Sequence, residues 1–143
     1  MTRPRDIGTR AETAIVRTAR QFGFPHAERK PLYGSRDQAD VALCPGVLIE
    51  SKAGKAAETA SDNQIGEWMG EAEASRVNAG AAFCFLVTKR KGVGAPRARR
   101  WWAHTTLDVL LSLVDVPVPY SAEGVYVRLT LGELLTMLKR EGW

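Results

Sequence analysis

Cysteine and histidine are scarce in this chain, two of each in 143 residues. Cys44 and Cys84 lie far apart, each within an apolar run, so they form neither a C-x-x-C pair nor a disulfide framework. They read as buried free thiols of a reducing compartment. His26 and His104 have no partner at zinc-ligand spacing, which argues against zinc. No Ser-His-Asp arrangement stands out, and neither cysteine has an activating neighbour. A Walker A loop would need glycine before Lys52 and Ser or Thr after it, where Ser51 and Ala53 stand. No run nears the ~20 apolar residues of a membrane span, and Met1-Thr2-Arg3-Pro4-Arg5-Asp6 has no apolar signal core. The expectation is a cytoplasmic protein with no membrane partner.

The composition is otherwise ordinary for a globular chain: 45% hydrophobic, 25% charged, formal net charge +4. The length suits one domain over residues 1–143, with a real core. There is no internal repeat. Ala11, Ala14, Ile15, Ala19 and Phe22 recur at helical spacing, predicting a helix over 9–22 that Gly23 ends. Residues 26–34 read as polar and extended. Val41, Leu43, Val47, Leu48 and Ile49 flank the turn signal Pro45-Gly46 and predict a hairpin. A helix is predicted over 61–77, with Ile65, Trp68, Met69 and Ala72 on one face. Residues 81–88 form a continuous apolar run, the signature of a central strand. A strand near 100–103, a helix over 106–114, a strand over 125–129 and a final helix opened by the capping box Thr130-Leu131-Gly132-Glu133 complete the chain. The order α-β-β-β-α-β-β-α-β-α predicts a mixed sheet with helices on its faces, an α/β sandwich.

Asp40 and Glu50-Ser51-Lys52 bound the hairpin. Carboxylates and an ammonium at the mouth of apolar strands are costly unless paired or bound to a cation. Two carboxylates around a divalent metal, with a lysine beside them, resolve that cost and make a hydrolytic centre. Glu50 and Lys52 share a strand face. Asp40 joins them only if it pairs opposite Glu50, which needs an odd-numbered connection; a tight two-residue turn would set it opposite Ser51. The alternative is a surface hairpin whose charges are solvated. Asp37 is the rival ligand, but it sits in polar turn sequence. Glu12 is either a third site carboxylate or the cap of its own helix in Thr9-Arg10-Ala11-Glu12. Gln64, in Ser61-Asp62-Asn63-Gln64, poses the same choice. Residues 89–102 hold six basic residues, Lys89, Arg90, Lys91, Arg97, Arg99 and Arg100, no acidic one, and the pair Trp101-Trp102. Flexible glycines, cations and tryptophans suit a loop along a phosphate backbone. Ser35 and Arg36 follow a glycine and are further candidates for phosphate contact.

Asp40, Glu50 and Lys52 resemble the PD-(D/E)xK nuclease motif, with Ala39 where proline often stands. Gly8-Thr9-Arg10-Ala11-Glu12, Gly34-Ser35-Arg36, Asp40 and Glu50-x-Lys52 are similar in order and spacing to the archaeal-type Holliday junction resolvases, over roughly residues 8–104. Residues 105–143 have no counterpart there and are expected as a C-terminal extension of the nuclease domain. The resemblance implies a restriction-endonuclease-like mixed sheet flanked by helices. It also implies a homodimeric endonuclease of DNA recombination and repair that cuts four-way junctions with Mg²⁺, Mn²⁺ being a substitute. Glu12 then belongs with Asp40, Glu50 and Lys52 as catalytic residues. Asp40, Glu50, the Ser51 backbone carbonyl and Glu12 would hold metal, and Lys52 would orient or deprotonate a water and stabilise the phosphate. Two symmetric cuts need a C2 dimer, for which Trp68, Met69 or Leu134-Leu135-Met137-Leu138 could supply an interface or equally the core. Other expectations are a nuclease of the same core acting on linear or flapped DNA, and a non-catalytic DNA-binding module.

Overall fold

A computed structural model describes residues 3–30 and 39–143. Helix α1, Pro4–Gln21, starts earlier than the apolar periodicity suggests. Pro4 pre-sets the first helical turn, and Asp6 lies in the first turn beside the positive end of the helix dipole. Thr9-Arg10-Ala11-Glu12 is therefore mid-helix, not the capping box its spacing resembles, and Glu12 is not a helix cap. The short strand β1, Glu28–Arg29, is followed by β2, Val41–Cys44, and β3, Val47–Lys52. A one-turn helix α2, Lys55–Glu58, leads to α3, Asp62–Ala79. Ser61 caps α3 by accepting from the Gln64 amide at 3.2 Å. The Gln64 side chain turns along its own helix to Glu67.

Strand β4, Phe83–Thr88, lies parallel to β3 in the centre of the sheet. A parallel pair needs a crossover, and α3 returns the chain to the end where β4 must begin. A 3₁₀ turn, Ala95–Arg100, precedes β5, Trp102–Thr106, which runs directly into α4, Leu107–Leu113. A second 3₁₀ turn, Tyr120–Ala122, leads to β6, Tyr126–Thr130, and α5, Leu131–Arg140, opened by the predicted capping box. The six strands of the described residues pair in sequence order, and every pair among them other than β3–β4 is antiparallel. The molecule is thus a mixed α/β fold with a six-stranded sheet flanked by helices. None of its described helices is long and apolar enough to cross a membrane.

Strand alternation divides the side chains. Val41, Leu43, Val47, Ile49, Phe85, Val87 and Ala103 meet α1 (Ala11, Ile15, Ala19) and α5 in one core. Leu131, Leu134, Leu135 and Leu138 of α5 are fully buried in it, so they are core and not a free interface. Each such buried aliphatic side chain contributes about 1.5–3 kcal/mol. Residues 126–140 thereby belong to the same sheet and core as the rest. Trp101 is buried with its indole N–H donating to the Val93 carbonyl at 2.7 Å, while Trp102 lies half-buried on the opposite face. Gly132 permits the close packing of α5: a Cβ there would lie 3.2 Å from the Arg99 carbonyl oxygen and from the Phe22 ring. Helix α3 crosses the other face, burying Ile65 and Ala72 against β3, β4 and β5.

Candidate active site

The hairpin reaches the site geometry by an unexpected route. Cys44 faces Val47 across a two-residue turn at Pro45-Gly46, the connection that alone would misplace Asp40. Gly46, at φ +86°, supplies the positive φ this turn needs. The register then shifts between Ala42 and Cys44, so that Ala42 faces Leu48 and Val41 faces Ile49. One extra residue on β2 restores the lost parity. Extending the ladder by one residue sets Asp40 against Glu50. The Ser51 amide donates to Asp40 Oδ2 at 2.7 Å and fixes that carboxylate. Ser51 thus meets the site through its N–H, as the group that holds Asp40. The Asp40 carbonyl accepts from the Lys30 amide at 2.9 Å, which anchors the backbone at the start of β2.

Three carboxylates meet here in series. Asp40 lies within side-chain hydrogen-bonding reach of Glu12 on one side and Glu50 on the other. Burial, reinforced by the Asp40 charge and opposed by Lys52, pushes the Glu50 carboxyl up to about 8. Burial and Asp40 also raise Glu12, against the pull of Arg29. Arg29 on β1 donates to Glu12 Oε2 at 3.1 and 3.2 Å. Among the described residues no three Asp, Glu, His or Cys side chains are gathered tightly enough to hold an ion as they stand. Asp40 is the link between the other two. Lys52, two residues beyond Glu50 on the same face, is drawn to Glu71 Oε2 of α3 at 2.9 Å and lies 5.6 Å from the Trp68 ring centre.

Cross-strand partners point to one side of a sheet, so the register extends this face across the molecule. Lys52 pairs with Thr88, Thr88 with Trp102 and Trp102 with Thr130. Glu50 pairs with Leu86, Leu86 with His104 and His104 with Arg128. His104 is buried, its Nε2 2.8 Å from Thr88 Oγ1 and its Nδ1 2.8 Å from the Tyr126 hydroxyl. Burial, and secondarily Arg128, pushes its imidazole down to about 4, so it is neutral at pH 7 and struts the sheet instead of titrating. Burial, with Glu50 and Asp40 nearby, drives the Cys84 thiol up to about 12, which disfavours the nucleophilic thiolate.

Arg90 and Arg128 lie 4.0 and 3.8 Å from the Trp102 ring centre. Two guanidinium groups so close to one centre cannot share a ring face without overlapping, so Trp102 is sandwiched. Like charges about 8 Å apart repel by about 2 kcal/mol at an effective dielectric near 20. Two cation–π contacts offset that cost.

The remaining basic residues are used unevenly. Lys89 is paired with Glu58, whereas Lys91, Arg97, Arg99 and Arg100 are exposed. The 3₁₀ turn bearing the last three packs on α1 and α5, away from the Glu50–Lys52 face. Ser35, Arg36 and Asp37 lie outside the described residues. A cleft of about 600 Å³ between α3, α4 and the start of β4 is lined by Met69, Phe83, Cys84 and Val109, among others, but by none of Asp40, Glu50 and Lys52.

Sequence reasoning missed Arg29, Glu71 and Arg128. Glu71 carried a weak signal, three residues beyond Trp68 on a helix. Arg128 carried another, alternating with Tyr126 and Thr130 on a strand. Nothing local points to Arg29. In comparisons with known proteins, no family model, no curated protein and no solved structure matches the chain.

Proposed function

We propose that the protein is a metal-dependent DNA endonuclease with a restriction-endonuclease-like core, cutting four-way junctions as a homodimer. The observation that carries this reading is the shifted hairpin register, with Asp40 against Glu50 and Lys52 on the same face. The donor set fits a hard divalent cation. Two adjoining carboxylates, one pushed to about 8 by burial and by the other's charge, are an oxygen-rich site short of positive charge. Mg²⁺ retains waters and needs only one or two carboxylates from protein. Asp40 and Glu50 would hold the ion, with Glu12 behind them. When bound, it would lower the pKa of a coordinated water and neutralise charge on the scissile phosphate.

The chain's own groups do the rest. The Ser51 amide fixes the Asp40 carboxylate, and Arg29 pairs with Glu12, which would give up that ion pair if it joined Asp40 and Glu50 in holding the ion. Lys52 would turn from Glu71 to the scissile phosphate as charge builds there, since a dianionic transition state competes better with a half-exposed carboxylate than the monoanionic ground state does. Its ammonium then donates to the phosphoryl oxygen or positions the attacking water.

Junction preference rests on the resemblance of residues 8–104 to the archaeal-type resolvases, and the dimer on the need for two symmetric cuts. The test is cleavage of a labelled four-way junction and its matching linear duplex, with Mg²⁺ or EDTA, by wild type and Asp40→Asn. Paired nicks in the junction alone, lost with EDTA and in the variant, are expected. Equal cutting of duplex would discard the junction and keep the nuclease. No cutting of either would overturn the enzyme.

A further inference from the structure

The sandwich of Arg90, Trp102 and Arg128 has no structural need for two cations. An aliphatic neighbour would cover Trp102 as well, without setting like charges against each other. Neither arginine has an acidic partner within 4.0 Å among the described residues, whereas Lys52, on the same face, is paired with Glu71, and Lys89, next to Arg90 in sequence, with Glu58. Arg128 is exposed on β6, and Arg90 is half-buried just beyond β4. Arg90 donates weakly to the Arg100 carbonyl at 3.4 Å, which tethers it without cancelling its charge. The ring between them holds both guanidinium groups at about van der Waals distance and removes much of the side-chain freedom that binding would otherwise have to freeze. Two residues along β5, His104 stacks with Tyr126 at 5.9 Å and hydrogen-bonds to it, which ties β5 to the strand that presents Arg128.

The register gives the distance to the carboxylates. Trp102 lies in the row of Lys52, two strands away, and Arg128 in the row of Glu50. At a strand spacing of ~4.8 Å, Trp102 is about 10 Å from Lys52 across the sheet. The ~3.4 Å rise per nucleotide is only the axial part of a phosphate step, which also winds around the helix, so that distance spans about one to two phosphate steps of a duplex strand. We infer that Arg90 and Arg128, set by Trp102, grip two phosphates of one DNA strand on this face and fix which phosphodiester reaches the Glu50–Lys52 centre. The grip stands on the geometry of the sandwich, and its link to cutting rests on the nuclease reading above.

The experiment measures affinity of the full chain for a labelled junction and duplex in EDTA across a salt series, then cleavage position with Mg²⁺. Arg90→Gln with Arg128→Gln is expected to weaken binding about 10- to 100-fold and lower the salt slope by about 1.8, two phosphate contacts' worth. Trp102→Leu, which removes no charge, should lose several-fold in affinity. Arg17→Gln, an exposed charge on α1 behind the opposite face, should change neither quantity beyond about twofold. With Mg²⁺, cuts by the double variant should spread over neighbouring phosphodiesters. An unchanged affinity and slope in the double variant, while wild type binds and cuts, would overturn the grip and leave the nuclease standing. Binding that depends on Arg90 and Arg128, with no cutting under any divalent ion, would overturn the nuclease and leave the grip. No DNA binding by wild type would overturn both.

Discussion

On one face of the sheet Val41, Val47, Ile49, Phe85, Val87 and Ala103 are each at most 1% exposed and wholly apolar. On the other, the alternating positions of the same strands carry Glu50, Lys52, Thr88, Trp102, His104 and Arg128. The first face is settled by burial alone: any well-packed set of aliphatic side chains would serve. The second is settled mostly by pairing, Glu50 to Asp40, Lys52 to Glu71, His104 to Thr88 and Tyr126, while Arg128 rests on the Trp102 ring without an acidic partner among the described residues. A period-two strand lets one backbone bear both without conflict.

The comparison is broken most severely at the carboxylate end. Asp40→Asn, Glu50→Gln and Lys52→Ala should each lower junction cleavage at least about a thousandfold, roughly 4 kcal/mol of barrier, while unfolding transitions and DNA affinity stay close to wild type. Normal cutting by any one would remove that residue from the mechanism. The opposite outcome is expected one residue earlier. Ile49→Ala, on the apolar face, should cost about 2–5 kcal/mol in urea unfolding through lost burial and a cavity. A loss below about 1 kcal/mol would mean the two faces are less different than the packing implies.

A subtler contrast lies in pH. The folded protein holds a proton on Glu50 that the unfolded chain releases near its ordinary value of 4.5. Between there and about 8 the native state binds more protons, so this group's contribution to stability falls as pH rises through that window and levels off above it. Glu50→Gln should remove the fall, making the variant more stable than wild type at pH 9 by on the order of 1 kcal/mol after solvent screening at a partly exposed site. Parallel stability curves for the two proteins would show that Glu50 is not strained. The smallest effect is expected at the 3₁₀ turn. Arg97→Ala, Arg99→Ala and Arg100→Ala together should weaken DNA binding by about two- to fivefold with a modest drop in salt slope. A larger loss than from Arg90 and Arg128 would move the DNA surface to the α1–α5 side.

The order of elements was legible because branched residues alternate along β2 and β3, and the apolar run of β4 needs cover on both faces. Thr130-Leu131-Gly132-Glu133 acts as a cap as its spacing suggests, whereas Thr9-Arg10-Ala11-Glu12 does not, because Pro4 and Asp6 had already started α1. Local spacing cannot tell a cap from an interior turn when an earlier start exists. The meeting of Asp40 with Glu50 was legible only as a parity condition. The register shift in β2 that meets it is a backbone adjustment with no residue signature beyond Gly46. Arg29 and Glu71 come to the site from β1 and α3, so their roles arise from tertiary placement that no spacing rule contains.

The central claim is that Asp40 and Glu50 together form a divalent-cation site. Calorimetric titration of Mn²⁺ into the full chain at pH 7, for wild type and Asp40→Asn, tests it without requiring the correct DNA. Saturable binding by wild type, weakened at least about tenfold in the variant, is the predicted result. Absent binding, or identical isotherms for the two proteins, would contradict it.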